Sequence, residues 1–377
     1  MDNEKIPPGP ACPGKVKTRP TTTRLTLSSA SNVLDVFRRL REDLSGSGDE
    51  VSEEAFLELL ARYDIHVSEL SSFVSTVEQL DSLFTAVTYN QAARCFWLDP
   101  SRGGEDMRFL EIYRSRIPSH IFKGIVDSWD MAITQYGPLQ GHGEVARPRV
   151  ITTLFEKMGA VFKSAVISKP GGLLNRSSIR PRFRKQYEIL QELSNVVFLQ
   201  VSRELASGSS ALDVKAWLLA ECSVTDYIND KNGHWAPVFA ILCDGNNFEF
   251  FVVDSAAQIV HSSGWVRGIP MKNDDRERTL LSIKRITEIL FDFFIMAFIN
   301  GLRSIAHSST RIPTEISTNA LTTAEYAHYL LRKANAHTID QQWKEAEDMA
   351  SAGVERLNTS VRELSEYLPD PRGFLGL

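Results

Sequence analysis

The sequence predicts an α+β protein: a mixed β-sheet with at least one crossover helix, flanked by helical regions on both sides. Three observations carry this expectation. Hydrophobic spacing is helical through the first third of the chain. It changes after YGPLQGHGEVARPR, a Gly- and Pro-rich stretch near residues 136 to 148, into short apolar runs with a helix among them, and returns to helical spacing from Thr279 onward. The resulting order of helix, strand, strand, helix, strand, strand implies a mixed sheet rather than a sandwich.

Of the 377 residues, 43% are hydrophobic and 24% charged, enough apolar surface for a core of one large or two modest domains. The 42 Lys and Arg stand against 47 Asp and Glu, a formal net charge of -5. Bulk charge therefore does not attract nucleic acid, and any such binding must be local. Cys12, Cys95, Cys222 and Cys243 stand singly, and the 8 His have no paired spacing, so neither a disulfide framework nor a zinc module can be drawn. Reducing surroundings are expected. The N-terminal MDNEKIPPGPACPGKVK has charge and proline where a signal peptide needs an apolar segment, so an intracellular location, cytoplasmic or nuclear, is expected. The most hydrophobic window, Ile286 to Leu302, contains Glu288, Asp292 and Asn300. It is expected to be a buried helix, with no membrane as partner.

Residues 1 to 30 hold Pro7, Pro8, Pro10, Pro13 and Pro20 and then a Thr/Ser run, the composition of a disordered tail. A helical region is expected over 31 to 136. Val33, Phe37, Leu40 and Leu44 share one face; Ser52 with Glu53 and Glu54 caps a helix carrying Phe56, Leu59, Leu60 and Tyr63; Phe73, Val77, Leu80, Phe84 and Val87 continue the spacing. After the loop DPSRGGED a further helical pair is expected at Met107 to Tyr113 and Ile121 to Ile133.

Val150, Leu154, Phe155, Met158 and Phe162 then mark a helix leading into a basic, Gly-containing loop. Strands are expected at Tyr187 to Leu190, Val196 to Val201, Val238 to Cys243, Phe248 to Val253 and Gln258 to His261. The second and third are nearly continuous apolar runs, so both should be central strands buried on two faces. Asp244-Gly245-Asn246-Asn247 is a turn of residues that tolerate positive φ. Ser210 with Asp213 opens a crossover helix whose Ala216, Trp217, Leu219, Ala220 and Val224 make it apolar around much of its circumference, as burial between layers requires. Helices follow over Thr279 to Ala306, Thr322 to Ala336 and Asp340 to Tyr367. The expected organisation is a core over 145 to 306 and C-terminal helices over 307 to 377.

The string WLLAECSVTDYIND, followed by APVFAILCDGNNFEFFVVD, resembles a pattern of the PD-(D/E)XK nuclease-like proteins of fungal type, the group of the Crinkler and spore-killer nuclease domains. In that group a helix of the form QLLAE is followed by a strand of the form PVYGILTDG and a strand of aromatics ending in Asp. The match covers residues 140 to 265. It implies a restriction-endonuclease-like mixed sheet with its chemistry just upstream of the helix: an Asp near the start of one strand and Glu-x-Lys on the next. Two carboxylates there hold a magnesium ion that polarises the phosphate and prepares the attacking water, while the lysine orients that water. Residues i and i+2 of a strand share a face, which explains the spacing.

In this chain VVFLQVSRE occupies that place, and the matching residues are Gln200 and Ser202, so Glu-x-Lys has become Gln-x-Ser. A Gln carbonyl brings no negative charge and Ser no positive one, and the site loses much of its hold on magnesium. The resemblance aligns the preceding Asp with Glu188 in KQYEILQEL, and Asp213 or Glu221 on the following helix is a carboxylate able to replace the missing ligand. The stretch NRSSIRPRFRK gathers Arg176, Arg180, Arg182, Arg184 and Lys185, which either track phosphates or form a solvated loop. His234 and Trp235 either stack on a base or, for the Trp, plug the core. Cys222 and Cys243 are expected to be inert packing residues. No Walker loop, GxSxG or dinucleotide glycine triplet occurs. Three functional expectations stand side by side: a catalytically degraded nuclease-like protein that binds DNA, RNA or a protein partner; an active magnesium-dependent nuclease using Glu188 and a relocated carboxylate; and a helical interaction scaffold whose sheet merely carries the helices.

Overall fold

The two most continuous apolar runs of the chain become adjacent strands in the middle of a sheet. The structure, a computed structural model, describes residues 88–136, 146–170, 183–189, 193–201, 211–244, 246–269, 276–308 and 312–367. The tail expected at 1 to 30 and the helices expected between 31 and 87 lie outside these residues. The chain divides into two units, Met1–Asp64 and Ile65–Leu377, and every described residue belongs to the second.

In chain order the described elements are α1 (Tyr89–Cys95), β1 (Arg108–Phe109), α2 (Ser119–Tyr136), α3 (Ala146–Val161), β2 (Val166–Pro170), β3 (Phe183–Ile189), β4 (Leu193–Gln200), α4 (Ala211–Lys231), β5 (Val238–Cys243), β6 (Asn247–Asp254), β7 (Ile259–Arg267), α5 (Arg276–Ser308), α6 (Thr314–Ile339) and α7 (Trp343–Glu363). The strands form one sheet in the order β1-β7-β6-β5-β4-β3-β2. β4 and β5 are parallel, joined by the crossover helix α4, and β1 runs parallel to β7; the other neighbours are antiparallel. The fold is α+β, a mixed sheet flanked by helices, as the sequence predicts.

β5 and the Val196–Leu199 stretch of β4 read as unbroken apolar runs because each meets a helical layer on both sides. Val197, Leu199, Ala240 and Leu242 pack with α1 and α4, while Val196, Phe198, Phe239 and Ile241 pack with α3 and α5. Strands buried on two faces have no polar alternation to show. Aromatic rings fill the α5 side: Phe155 lies 4.3 Å from Phe198 and Phe293 5.1 Å from Phe250, centroid to centroid. α5 is long and apolar enough, by length and composition, to cross a bilayer, and 78% of its most apolar window is buried inside the fold. α6 and α7 pack through small residues; a Cβ built on Gly353 would stand 2.6 Å from Leu331 Cγ.

The structure departs from the expected helix at Met107 to Tyr113. Arg108 and Phe109 instead pair with His261 and Ser262, and the chain runs on extended to α2. Its backbone groups are taken by other elements: Leu110 N–H donates to Ser262 O at 2.9 Å, Ser115 N–H to Glu288 O at 3.2 Å and Arg116 N–H to Leu331 O at 3.1 Å. Tertiary partners thus replace the bonds a helix would have made. Side chains pin the same segment. Arg114 pairs with the buried Glu288, and Ser115 Oγ donates to Asp292 Oδ1 at 2.8 Å. Asp292 also accepts from Arg332 Nε and Nη2 and contacts His328 Nε2, each at 2.8 Å. Burial pushes the Asp292 carboxyl up, but hydrogen bonds and charge from Arg332 and His328 prevail and hold it down at about 2. β2 also falls where the sequence predicts part of a basic loop, since Val166 to Pro170 find partners along β3.

Candidate functional site

The crossover leaves the carboxyl ends of β4 and β5 side by side, the end at which open α/β sheets hold ligands. Gln200 closes β4, opposite Cys243 of β5 and Phe183 of β3. Strand alternation puts it on the side of Val196 and Phe198, facing the layer of α3 and α5. It is 2% exposed, and its Oε1 is buried without a hydrogen-bond partner among the described residues. Beside it, Asp244 organises the β5–β6 turn. Its Oδ1 accepts from the N–H groups of Asn246 at 2.8 Å and Asn247 at 2.7 Å, and its Oδ2 from Asn247 Nδ2 at 3.1 Å. Gly268 must be glycine here, because a Cβ would collide with Asn246 O and the Phe248 ring.

The structure does not bring the motif residues of the resemblance together. Glu188 pairs with Ser194, six positions before Gln200, a separation of roughly 20 Å along β4. It lies next to the end of β3, whereas the resemblance places an Asp near the start of its strand; the residue opposite Gln200 is Phe183. Ser202 lies outside the described residues. Glu221 and Asp213 belong to α4, which packs on the opposite side of the sheet from Gln200. Asp213 Oδ1 accepts from Tyr89 N–H at 3.3 Å, which ties α1 to α4. Glu221 is buried, and its charge, after burial itself, raises the Cys222 thiol well above its ordinary range. Cys222 and Cys243 are free and buried, consistent with packing roles.

Of the basic stretch, Arg176, Arg180 and Arg182 lie outside the described residues. Arg184 and Lys185 belong not to a loop but to β3, opposite Leu199 and Phe198, because β3 is an interior strand paired on both edges. Trp235 is not a core plug: it is half-exposed, its N–H held by Ser304 Oγ at 2.9 Å, while His234 Nδ1 contacts Ser308 Oγ at 2.7 Å.

Sequence reasoning missed a buried charged group on the α4 side. Glu249 of β6 is fully buried; its Oε1 accepts from Lys215 Nζ of α4 at 2.7 Å and from Ser262 Oγ of β7 at 2.6 Å, while its Oε2 has no hydrogen-bond partner among the described residues. A bulge in β7 aims that serine. Glu249 pairs with Trp265 and Phe251 with Ser262, so β7 carries the extra residue, and Gly264 adopts φ +63 there. The legible signal was Glu249 itself, a charge inside the apolar run FEFFVV at the inward-facing positions shared with Phe251 and Val253. At the edge of the same layer, burial and then the charge of Asp106 push the Tyr89 hydroxyl up to about 12.

Among the described residues no group of three or more His, Cys, Asp or Glu is placed to hold a metal ion. The donors described around Gln200 do not fit a magnesium ion, which wants several oxygens with negative charge. No family model, curated protein or solved structure matches the chain.

Proposed function

We propose that the chain is a catalytically degraded PD-(D/E)XK nuclease-like protein that acts by binding, to nucleic acid or to a protein partner. The order of elements supports the family reading: β3 with Glu188, β4 with Gln200, α4 with its LLAE, β5 with VFAILC and β6 ending in Asp254 follow one another as the resemblance implies. The observation that carries the degraded reading is Gln200, a neutral residue at a motif position, 2% exposed on the apolar side of β4. A buried neutral motif residue neither meets a substrate phosphate nor draws a hydrated cation out of water. No hydrolytic step through magnesium follows from this arrangement.

Binding is tested by titrating labelled DNA and RNA oligonucleotides with the full chain at several salt concentrations. Replacing Arg180, Arg182 and Arg184 with Ala is expected to weaken binding and to flatten its salt dependence by about 0.7 to 0.9 in slope per lost phosphate contact. Unchanged affinity and slope would assign that stretch to solvated surface, and no binding at all would leave the protein partner as the ligand.

The scaffold reading has one observation in its favour. Tyr326, Tyr329 and Ile339 of α6 and Trp343 of α7 are all large side chains with half or more of their surface exposed. Pull-down of a defined partner that is lost on replacing this set, with oligonucleotide binding absent, would favour it.

A further inference from the structure

Phe109 and Trp265 are two aromatic side chains left to solvent, 77% and 39% exposed. Phe109 is paired with Ser262, and Trp265 with Glu249. Residues paired across a ladder project to the same side. Ser262 Oγ and Lys215 Nζ both meet Glu249 Oε1, so that side is the one carrying α4. α4 lies over β4 and β5. It leaves the margin of the sheet, β7 and β1, as a shelf carrying the two rings, which stand on the order of 10 Å apart along the strand. Arg267, two positions after Trp265, is exposed on the same side.

The shelf does not suit another β-strand. At the bulge, Gly264 N–H donates to Ser262 Oγ at 3.0 Å and Gly264 O accepts from Ser263 Oγ at 2.7 Å. Both backbone polar groups of Gly264 are therefore satisfied internally, and the bulge interrupts the edge at that point. What remains on offer is ring surface beside an exposed guanidinium. That pairing of groups suits unpaired bases, each with a π-face, joined by phosphates.

We propose that the shelf of Phe109, Trp265 and Arg267 is a stacking surface for single-stranded nucleic acid, with bases on the rings and a phosphate on the guanidinium. The proposal rests on the nucleic-acid arm of the function above and gives it a location apart from Gln200 and from the Arg180 to Arg184 stretch.

Fluorescence anisotropy of short labelled oligo-dT and oligo-U with the full chain tests it. Phe109→Ala and Trp265→Ala are each expected to weaken binding roughly 5- to 150-fold, the loss that accompanies removal of one stacking ring. Trp265→Phe keeps a ring and should retain most of the affinity. Arg267→Ala should lower the salt slope by about 0.7. Met131→Ala, a large exposed side chain of α2, whose buried residues pack on the other face of the sheet, should change nothing. Unfolding midpoints matching the unmodified chain show that the losses are not unfolding. If oligonucleotides bind but the Phe109→Ala/Trp265→Ala double variant binds them equally well, the shelf is overturned while the binding function stands. If the full chain binds no oligonucleotide, the shelf and the nucleic-acid arm of the function are both overturned, and the protein partner remains. Equal affinity for a fully paired duplex overturns stacking as the mode.

Discussion

Glu249 and Lys215 show how a single charged residue in an aromatic strand reports on its surroundings. A carboxylate with no solvent access persists because an ammonium and a hydroxyl reach it. Lys215→Met leaves that carboxylate buried with Ser262 as its one donor among the described residues, and urea unfolding is expected to register a loss of about 3–5 kcal/mol. Adding Glu249→Leu to that variant should recover most of the loss, since a well-packed apolar pair often replaces a buried ion pair at little cost. Gln200 makes the complementary case. Gln200→Glu places a carboxyl on an apolar face, where burial raises its pKa above the ordinary Glu value. A raised acid contributes fully below its unfolded pKa and loses ground as pH rises, so this variant should be less stable at pH 8 than at pH 5 relative to the unmodified chain. Magnesium that restored its stability would indicate a retained cation site. The change from Glu-x-Lys to Gln-x-Ser was legible in the sequence; the burial of Gln200 was not, because a strand's last residue can face either a core or a cleft.

Among elements, the strands that the sequence predicts best are those whose composition leaves no choice. β5 spans Val238–Cys243 as expected, because six successive apolar residues bounded by turn signals fit a doubly buried strand. Met107 to Tyr113 is too short for its apolar residues to separate helical from extended spacing, and the partners that extend the chain there lie in β7, α5 and α6, far away in sequence. Asp292 is the anchor of that extended segment. Its folded pKa of about 2 lies below the ordinary carboxylate value, so its contribution is present above about pH 4 and is lost as pH falls from there toward 2. Acid titration of stability should show a loss of about 2 kcal/mol across that window, absent in Asp292→Asn. In the α6–α7 hairpin, Gly353→Ala gains helix propensity but drives a methyl into Leu331; the expected net effect is destabilisation of about 1–2 kcal/mol. In a Leu331→Ala background the same change should be neutral or stabilising, which thermal unfolding of the four-member cycle resolves.

For the molecule as a whole, periodicity and turn chemistry made the α+β class and the crossover legible, while the two-residue β1, the bulge in β7 and the shelf beside it depend on pairings that sequence distance conceals. Net charge of -5 is consistent with binding confined to local surfaces such as the β1–β7 margin. The separation of Glu188 from Gln200 along β4, and of Asp213 and Glu221 from Gln200 across the sheet, leads to the expectation that the chain does not cut nucleic acid; the binding proposed above adds that it holds it. The decisive measurement incubates the purified full chain with single-stranded and duplex DNA and RNA in magnesium or manganese, following retention and chain length of the nucleic acid in the same samples. Retention with the nucleic acid intact is the expected result. Robust cleavage that disappears in Glu188→Ala or Glu221→Ala would contradict it and make the chain an active nuclease with a relocated carboxylate.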